Sequence, residues 1–162
     1  MKKAQIQSQI FIYVFALLVI SLILFFGIKS ISSFKKDTEK VIMVNFITDL
    51  KSQVNSITSE YDSIQKVSLD LPKEYKVVCF IDKNANTPYE IVNEYSNTDN
   101  NIFILKENNM LEEEFNAGKL DIINLDDTSP NPDYLCLTNN LGKVEFMLKG
   151  KGKYSELYEV PT

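Results

Sequence analysis

The hydrophobic pattern begins with a continuous apolar run, residues 10–28, in which no side chain is charged. A helix rises about 1.5 Å per residue, so this run is long enough to cross a hydrocarbon core of roughly 30 Å. A cleaved signal peptide usually has a shorter apolar region that ends in a small-residue site, which Gly27, Ile28 and Lys29 do not provide. A buried helix of a soluble protein would need a large surrounding core, for which the remaining chain is short. The run therefore predicts a retained transmembrane helix.

A second pattern, with a helical period, follows in residues 29–62, where neither proline nor glycine occurs. The pattern predicts an amphipathic helix that ends just before Asp62 and Ser63. Such an apolar stripe either packs on a sheet of the same chain or pairs with another helix, and packing on a sheet is commoner for a stripe of this length. The predicted helix-packing stripe has spacings of four, three, four, three and four residues: Met43, Ile47, Leu50, Val54, Ile57 and Tyr61.

From residue 64 onward apolar positions alternate with polar ones, which is the period of a β-strand. A short helical turn is predicted at residues 88–92, and residues 110–115 fit neither period clearly. The last two long strands are predicted to form a hairpin around the turn sequence Asn-Asn-Leu-Gly. The predicted strands are residues 67–71, 75–82, 101–106, 119–125, 134–138, 143–148 and 154–160.

Together these patterns predict an α+β fold, with one long N-terminal helix followed by a small, mainly antiparallel β-sheet head. The transmembrane half and the amphipathic half of the helix are expected to be continuous. The predicted segments are a basic N-terminal tail or leader, 1–9, a transmembrane helix, 10–28, an amphipathic stalk helix, 29–62, and a β-rich head, 63–162.

Charge and missing residue types limit the function of the head. Residues 1–66 hold eight lysines and five acidic residues, whereas residues 67–162 hold nine lysines and 17 acidic residues. An acidic head repels nucleic acid, so no nucleic-acid partner is expected. The chain has no histidine and no arginine, which removes His-based triads, imidazole zinc ligands and bidentate Arg sites. No catalytic residue and no cofactor are expected, and the protein is predicted not to be an enzyme.

Two polar loops carry oxygen ligands at spacings that suggest a cation site. Residues 82–86 begin like an EF-hand loop, but Thr87 and Asn93 occupy the positions of the required glycine and glutamate. An ordinary Asn-rich turn is therefore expected, and residues 112–114, three glutamates, are interpreted as the solvated start of a helix. The second loop is expected to carry solvated carboxylates and no metal: Asp126, Asp127 and Asp133.

The two cysteines, Cys79 and Cys136, lie in apolar runs that are predicted to be strands. If the head is outside the cytoplasm, they are a candidate disulfide. If the head is cytosolic, they are expected to be buried, small hydrophobic residues. They form no C-x-x-C pair, so a metal or redox motif is not expected.

The N-terminal residues place Lys2 and Lys3 before Ala4, Gln5 and the apolar run. This arrangement resembles the class III signal peptide of archaeal type IV pilin-like proteins, in which a short basic leader ends in Gly or Ala and cleavage precedes a Gln. The resemblance implies processing between Ala4 and Gln5. That family often has Glu at the fifth mature position, where this chain has Gln9, and a neutral Gln can only form a hydrogen bond with a neighbour's amine. An ordinary N-terminal anchor preceded by two lysines is the alternative.

The orientation of the head is predicted from several signals. Lysines flank the apolar run almost evenly, which slightly favours a cytoplasmic head, whereas the leader, the cysteine pair and the acidic head favour an extracytoplasmic one. We expect a single-pass membrane protein with the head outside, in contact with the lipid bilayer and self-associating through the N-terminal helix.

Two functions fit this arrangement. The first is a non-catalytic structural or assembly protein of the cell surface, such as a pilin-like filament subunit. The alternative is a monomeric membrane-anchored binding module for a ligand or partner protein, with recognition by loops 83–100 and 126–133.

Overall fold

A computed structural model describes residues 3–82, 86–123 and 134–160, with residues 3–9 and Ser32 described for the backbone only. The chain forms two compact units, one that ends at Val41 and one that begins at Ile42. A single helix, α1 (Lys3–Ser59), accounts for the described residues of the first unit and for the beginning of the second. The division therefore lies within the helix and does not coincide with the predicted end of the stalk at residue 62.

Helix α1 forms because its sequence combines long apolar and charged side chains with no proline. Threonines, which compete with the helix for main-chain hydrogen bonds, are accommodated by bonding back one turn. Thr38 Oγ1 donates to the Phe34 carbonyl, and Thr48 Oγ1 donates to the Val44 carbonyl, each at 2.8 Å. The hydroxyls are therefore satisfied within the helix.

Helix α1 ends two residues before the predicted stripe does. The Glu60 amide donates to the Ile57 carbonyl at 3.0 Å, which tightens the last turn, and Asp62 turns the chain with a φ of 63°. Tyr61 therefore lies outside the helix, and its side chain is 79% exposed. The assignment of Tyr61 to the packing stripe is wrong, because the helical phase stops before this residue.

After α1, the described residues form strands and one short helix. The strands make two four-stranded sheets, in the orders β1-β7-β8-β5 and β4-β3-β2-β6. Neighbouring strands are antiparallel except β5 and β8, which are parallel. The predicted α+β class, one long N-terminal helix followed by mainly antiparallel strands, is confirmed. The elements are β1 (Ile64–Asp70), β2 (Tyr75–Ile81), α2 (Glu90–Tyr95), β3 (Ile102–Lys106), β4 (Leu111–Phe115), β5 (Leu120–Ile122), β6 (Tyr134–Thr138), β7 (Lys143–Gly150) and β8 (Ser155–Tyr158).

The predicted hairpin of β6 and β7 is wrong in its pairing. The two strands are consecutive, but β6 pairs with β2, whereas β7 pairs with β1 and β8. The turn between them does form, with a φ of 55° at Leu141. The side-chain amide of Asn139 donates to the carbonyls of Pro72 and Tyr75, at 3.0 and 2.7 Å. These bonds fix the point at which the chain leaves one sheet and enters the other.

Both sheets and the C-terminal part of α1 contribute to one hydrophobic core. Its fully buried side chains include Phe46 of α1, Phe80 of β2 and Phe146 of β7, and the rings of Phe80 and Phe146 lie 5.3 Å apart. Strand β2 is buried on both faces, because Phe80 faces this core while Cys79 and Ile81 face a second apolar cluster shared with α2. Such burial accounts for the nearly continuous apolar sequence of β2.

Two local predictions have different outcomes. The short helical turn predicted at residues 88–92 is present as α2. The interpretation of residues 112–114 as the start of a helix is wrong, because they form the edge strand β4. Glu112 pairs there with Lys106 of β3, with Oε2 and Nζ 2.8 Å apart, so cross-strand pairing supports a strand where the sequence alone was ambiguous.

Candidate functional site

The first candidate site is the apolar segment of α1, defined as residues 10–28. Its large hydrophobic side chains are all exposed, from 37% for Val19 to 79% for Phe11. Helix α1 is long and apolar enough to cross a membrane, by length and composition. Soluble proteins rarely expose contiguous apolar patches larger than a few hundred Å². The apolar segment therefore needs an apolar environment, which lipid chains or the helices of other molecules can supply.

The apolar segment has two hydroxyl side chains, Tyr13 and Ser21, and Ser21 is satisfied within the helix, as hydrocarbon requires. Ser21 Oγ donates to the Leu17 carbonyl at 2.8 Å. Lys3 and Lys29 are the nearest charged residues on either side, so insertion of the segment would place no charge in hydrocarbon. Its chemistry suits a lipid bilayer and offers no polar path through one.

The candidate processing site precedes this segment. Ala4 and Gln5 lie in the first turns of α1, but their side chains, like the whole of Lys2, are outside the described part of the structure. Processing between these two residues stays a prediction.

The helix-packing stripe lies largely inside the core of the second unit. Met43, Leu50, Val54 and Ile57 are buried in the core that contains both sheets, and Ile47 packs partly buried against it. Of the two arrangements considered for the stripe, packing on strands of the same chain is the one observed. The predicted stripe omits Phe46, although its side chain is only 1% exposed. Its position, three residues after Met43 and four before Leu50, is a signal that could have found it.

Close polar contacts fix the last turns of α1 against the strands. The hydroxyl oxygens of Thr58 and Ser155 lie 2.6 Å apart, and Ser155 Oγ donates to the Val54 carbonyl at 3.3 Å. A Cβ atom at Gly150 of β7 would lie only 2.0 Å from the Ile57 carbonyl oxygen. The main chains of α1 and β7 can approach this closely only because residue 150 has no side chain.

Charged side chains beside this contact form a paired network. Lys149 Nζ lies 2.7 Å from Asp62 Oδ1, and Lys151 Nζ lies 3.0 Å from Glu156 Oε1. The Tyr158 hydroxyl donates to the other oxygen of Glu156. Burial raises the pKa of Glu156, but the hydrogen bonds from Tyr158 and Lys151 outweigh it and bring that pKa below its ordinary value. The hydrogen bond from Lys149 lowers the pKa of Asp62, so both carboxylates favour the ionised form.

The two cysteines are joined in a disulfide. Cys79 of β2 and Cys136 of β6 are directly opposite in the antiparallel register, and their Cα atoms lie 4.0 Å apart. Cys79 is fully buried and Cys136 is half-buried. The bond ties the edge strand β6 to the central strand β2. The interpretation of the cysteines as a disulfide is confirmed, and the alternative of two free thiols is not.

A groove of about 560 Å³ borders the edge strand β6. In an antiparallel pair with so short a Cα–Cα distance, the two residues do not hydrogen-bond to each other, and their main-chain groups point away from each other. The amide and the carbonyl of Cys136 therefore point away from β2. Glu145 lies in the groove wall, and its pKa is lowered by a hydrogen bond from Lys66 and by the positive charge of Lys66. The arrangement offers main-chain groups and charges to a polar or peptide ligand. The lining residues are Cys136, Leu137, Thr138, Asn139, Asn140, Lys143, Glu145, Glu159 and Val160.

The two polar loops considered for cations are largely outside the described residues. Residues 83–85 of the first loop, and Asp126, Asp127 and Asp133 of the second, are not described. In the first loop, Thr87 and Asn93 bond to each other, with the Thr87 amide 2.7 Å from Asn93 Oδ1. Within residues 3–82, 86–123 and 134–160, no group of three or more Cys, Asp and Glu residues could hold a metal ion.

The chain thus combines an exposed apolar helix segment with a second unit that carries a disulfide, a charged network and a polar groove. The helix segment has the chemistry of a membrane anchor, and the groove has the chemistry of a binding surface. No family model, no curated protein and no solved structure matches this chain.

Proposed function

We propose that the protein is a single-pass membrane-anchored protein with a structural or assembly role and no catalytic one. The observation that carries this proposal is the apolar segment of α1, which is uncharged and helical and whose large hydrophobic side chains are all exposed. Removing one large apolar side chain from water contributes about 1.5–3 kcal/mol. Insertion of the segment into a bilayer therefore gains on the order of tens of kcal/mol, which outweighs the cost of ordering one helix.

The head is placed outside the cytoplasm in this proposal. The Cys79–Cys136 disulfide supports this orientation, because cytosolic glutathione and thioredoxin keep most protein thiols reduced. The surplus of acidic residues in the head is compatible with an aqueous, extracytoplasmic environment.

A pilin-like filament subunit of the cell surface is the specific form of this proposal. The basic leader, with Ala4 and Gln5 before the apolar segment, supports it. Copies of a helix inserted in the same bilayer are parallel and at the same depth, so the side chains of the apolar segment are available for van der Waals packing between copies. Self-association would then occur through residues of the first unit.

A membrane-anchored binding module is the second candidate, and two observations favour it. Met43, Leu50, Val54 and Ile57 are buried in the chain's own core, so this stripe is not available for pairing with another helix. The groove beside β6 also presents a strand edge that pairs with no other described strand, the kind of surface to which extended peptides add. Leader processing distinguishes the two candidates, because the binding module does not need it.

The intact mass of the protein from its native membrane, with and without reduction before thiol alkylation, tests these proposals. Loss of residues 1–4 would support the pilin-like assembly. An unprocessed N-terminus with alkylation only after reduction would support the binding module. Two free thiols would contradict the extracytoplasmic head.

Matched variants make the processing test sharper. Ala4→Leu should block processing, because the cleavage site requires a small residue, whereas Ala16→Leu makes the same change inside the apolar segment and should not. Equal processing of the two variants would contradict cleavage after Ala4.

A further inference from the structure

A basic stripe follows the apolar segment on the surface of α1. Lys29, Ser33, Lys36 and Lys40 recur at spacings of four, three and four residues, so they lie on one face of the helix. All four side chains are exposed. Phe25, four residues before Lys29, extends the same face into the apolar segment. We call these four polar residues the basic stripe.

The basic stripe and the end of the apolar segment together line a surface groove of about 530 Å³. One part of the groove is apolar and belongs to the segment that would contact acyl chains. The other part carries two ammonium groups and one hydroxyl. The residues are Phe25, Ile28, Lys29, Ser33 and Lys36.

The position of the basic stripe matches the headgroup layer of a bilayer. Lys29 directly follows the apolar segment, and Lys36 lies about 10 Å farther along the helix axis. The polar layer on each side of the hydrocarbon core is roughly 5–8 Å thick. Side chains on a helix tilt toward its N-terminus, and lysine stems extend along apolar surface while the ammonium group stays in a polar region. The ammonium groups of Lys29 and Lys36 therefore reach back toward the phosphates.

The remaining charges of this part of α1 do not occupy the stripe. Lys35 lies on another face and pairs with Glu39, with Nζ and Oε1 3.6 Å apart. Asp37 borders the stripe, four residues after Ser33 and three before Lys40, so its negative charge lies nearest the Lys40 end. The stripe thus presents three positive charges, and Lys35 provides a lysine of the same segment whose charge is balanced within the helix.

We propose that the basic stripe binds the phosphate groups of anionic phospholipids, with Lys29 and Lys36 as the ammonium partners and Ser33 as a hydrogen-bond donor. The inference rests on the proposed membrane anchoring, since only an inserted apolar segment places the stripe at the headgroups. Lysines close to an anionic lipid surface each strengthen attachment about fivefold. Lys40, at the far end of the stripe, adds to the attraction within the range of the surface potential.

Native mass spectrometry of the full-length protein in a neutral detergent tests this proposal. Phosphatidylglycerol and phosphatidylcholine with identical acyl chains are titrated separately, and we expect at least about tenfold tighter binding of phosphatidylglycerol. The triple variant Lys29→Gln, Lys36→Gln, Lys40→Gln should bind both lipids equally, whereas Lys35→Gln should keep the preference. Equal binding of both lipids by the unmodified protein, or loss of the preference in Lys35→Gln, overturns the assignment.

Two further measurements distinguish lipid binding by the basic stripe from binding of free phosphate and from membrane anchoring alone. A large molar excess of inorganic phosphate should leave phosphatidylglycerol bound, and displacement would identify a site for free phosphate in place of lipid. Resistance to alkaline carbonate extraction from native membranes reports anchoring alone and should be the same in all variants. Extraction of the unmodified protein would contradict the proposed function, whereas a resistant protein without lipid preference would contradict only the lipid site.

Discussion

At the scale of single residues, Gly150 decides how closely α1 and β7 can approach. A Cβ atom there would meet main-chain oxygens, at 2.0 Å from Ile57 and 2.2 Å from Glu60. Neither oxygen can rotate away, so Gly150→Ala should destabilise the protein by at least about 2 kcal/mol. Chemical unfolding in detergent, followed by circular dichroism, measures the change. Gly27→Ala is the control, because its Cβ meets nothing within 4 Å, and equal unfolding midpoints would contradict the predicted contact.

Also at the scale of single residues, the ionisation of Glu156 should make the stability of the fold depend on pH. Its pKa in the folded protein lies below the ordinary value of 4.5, so its partners stabilise the fold above that pH. This stabilisation is lost as the pH falls from 4.5 through the folded-state pKa. Glu156→Gln should therefore show a weaker loss of stability in acid than the unmodified protein, in urea midpoints measured across that window. Glu107→Gln, at an exposed turn residue, should retain the full acid dependence, and identical curves for all three proteins would refute the role of Glu156.

The packing stripe shows which residues the sequence can and cannot identify. Leu50 and Val54 could be predicted as buried, because helical periodicity alone places them on the apolar face. Phe46 could have been added on the same ground, because its spacing from Met43 and Leu50 is helical. That Phe46 is buried more deeply than Ile47 depends on the shape of the facing sheets and could not be predicted. Tyr61 could not be excluded either, because the end of α1 depends on distant Gly150, whose carbonyl accepts the Asp62 amide at 2.8 Å.

At the scale of elements, α1 has a buried face and an exposed face within the second unit, and two variants distinguish them. Leu50 is fully buried, whereas Val44 is 60% exposed on the same helix. Leu50→Ala should cost about 2–5 kcal/mol, because it removes buried methyl groups and leaves a cavity. Val44→Ala should change stability by less than about 0.5 kcal/mol. Thermal unfolding of the two variants measures the difference, and similar losses would mean that Val44 also packs against a partner.

Strand pairing is the part of the fold that the sequence did not settle. Short apolar runs located β2 and β3, and alternating apolar residues located β6 and β7, because each pattern is local. The partner of each strand depends on distant contacts, and the turn at residues 139–142 has local chemistry compatible with a hairpin or with a crossing. The disulfide was identified as a possibility because Cys79 and Cys136 both lie in predicted strands, but its formation depended on β6 pairing with β2. The groove beside β6 follows from that pairing and could not be predicted.

At the scale of the whole molecule, the division between Val41 and Ile42 separates two kinds of chemistry. The described part of the first unit is helix alone, and its apolar segment has its large side chains exposed. The second unit contains the shared core, both sheets and the disulfide. Folding of the second unit therefore depends on contacts that it makes within itself, while the proposed membrane attachment depends on residues 10–28.

This separation predicts the behaviour of a shortened protein. A chain that begins at Ile42 keeps Phe46, Leu50 and the remaining core residues of α1, so it should fold, form the disulfide and stay in the soluble fraction after export and cell disruption. A chain that begins at residue 29 keeps the basic stripe without the apolar segment and should also be soluble, because a few lysines alone give only weak, salt-sensitive membrane attachment. The full chain should sediment with membranes and resist alkaline carbonate. Sedimentation through ultracentrifugation, thiol alkylation and circular dichroism measure these properties, and carbonate-resistant attachment of the chain that begins at Ile42 would place the anchor in the head instead.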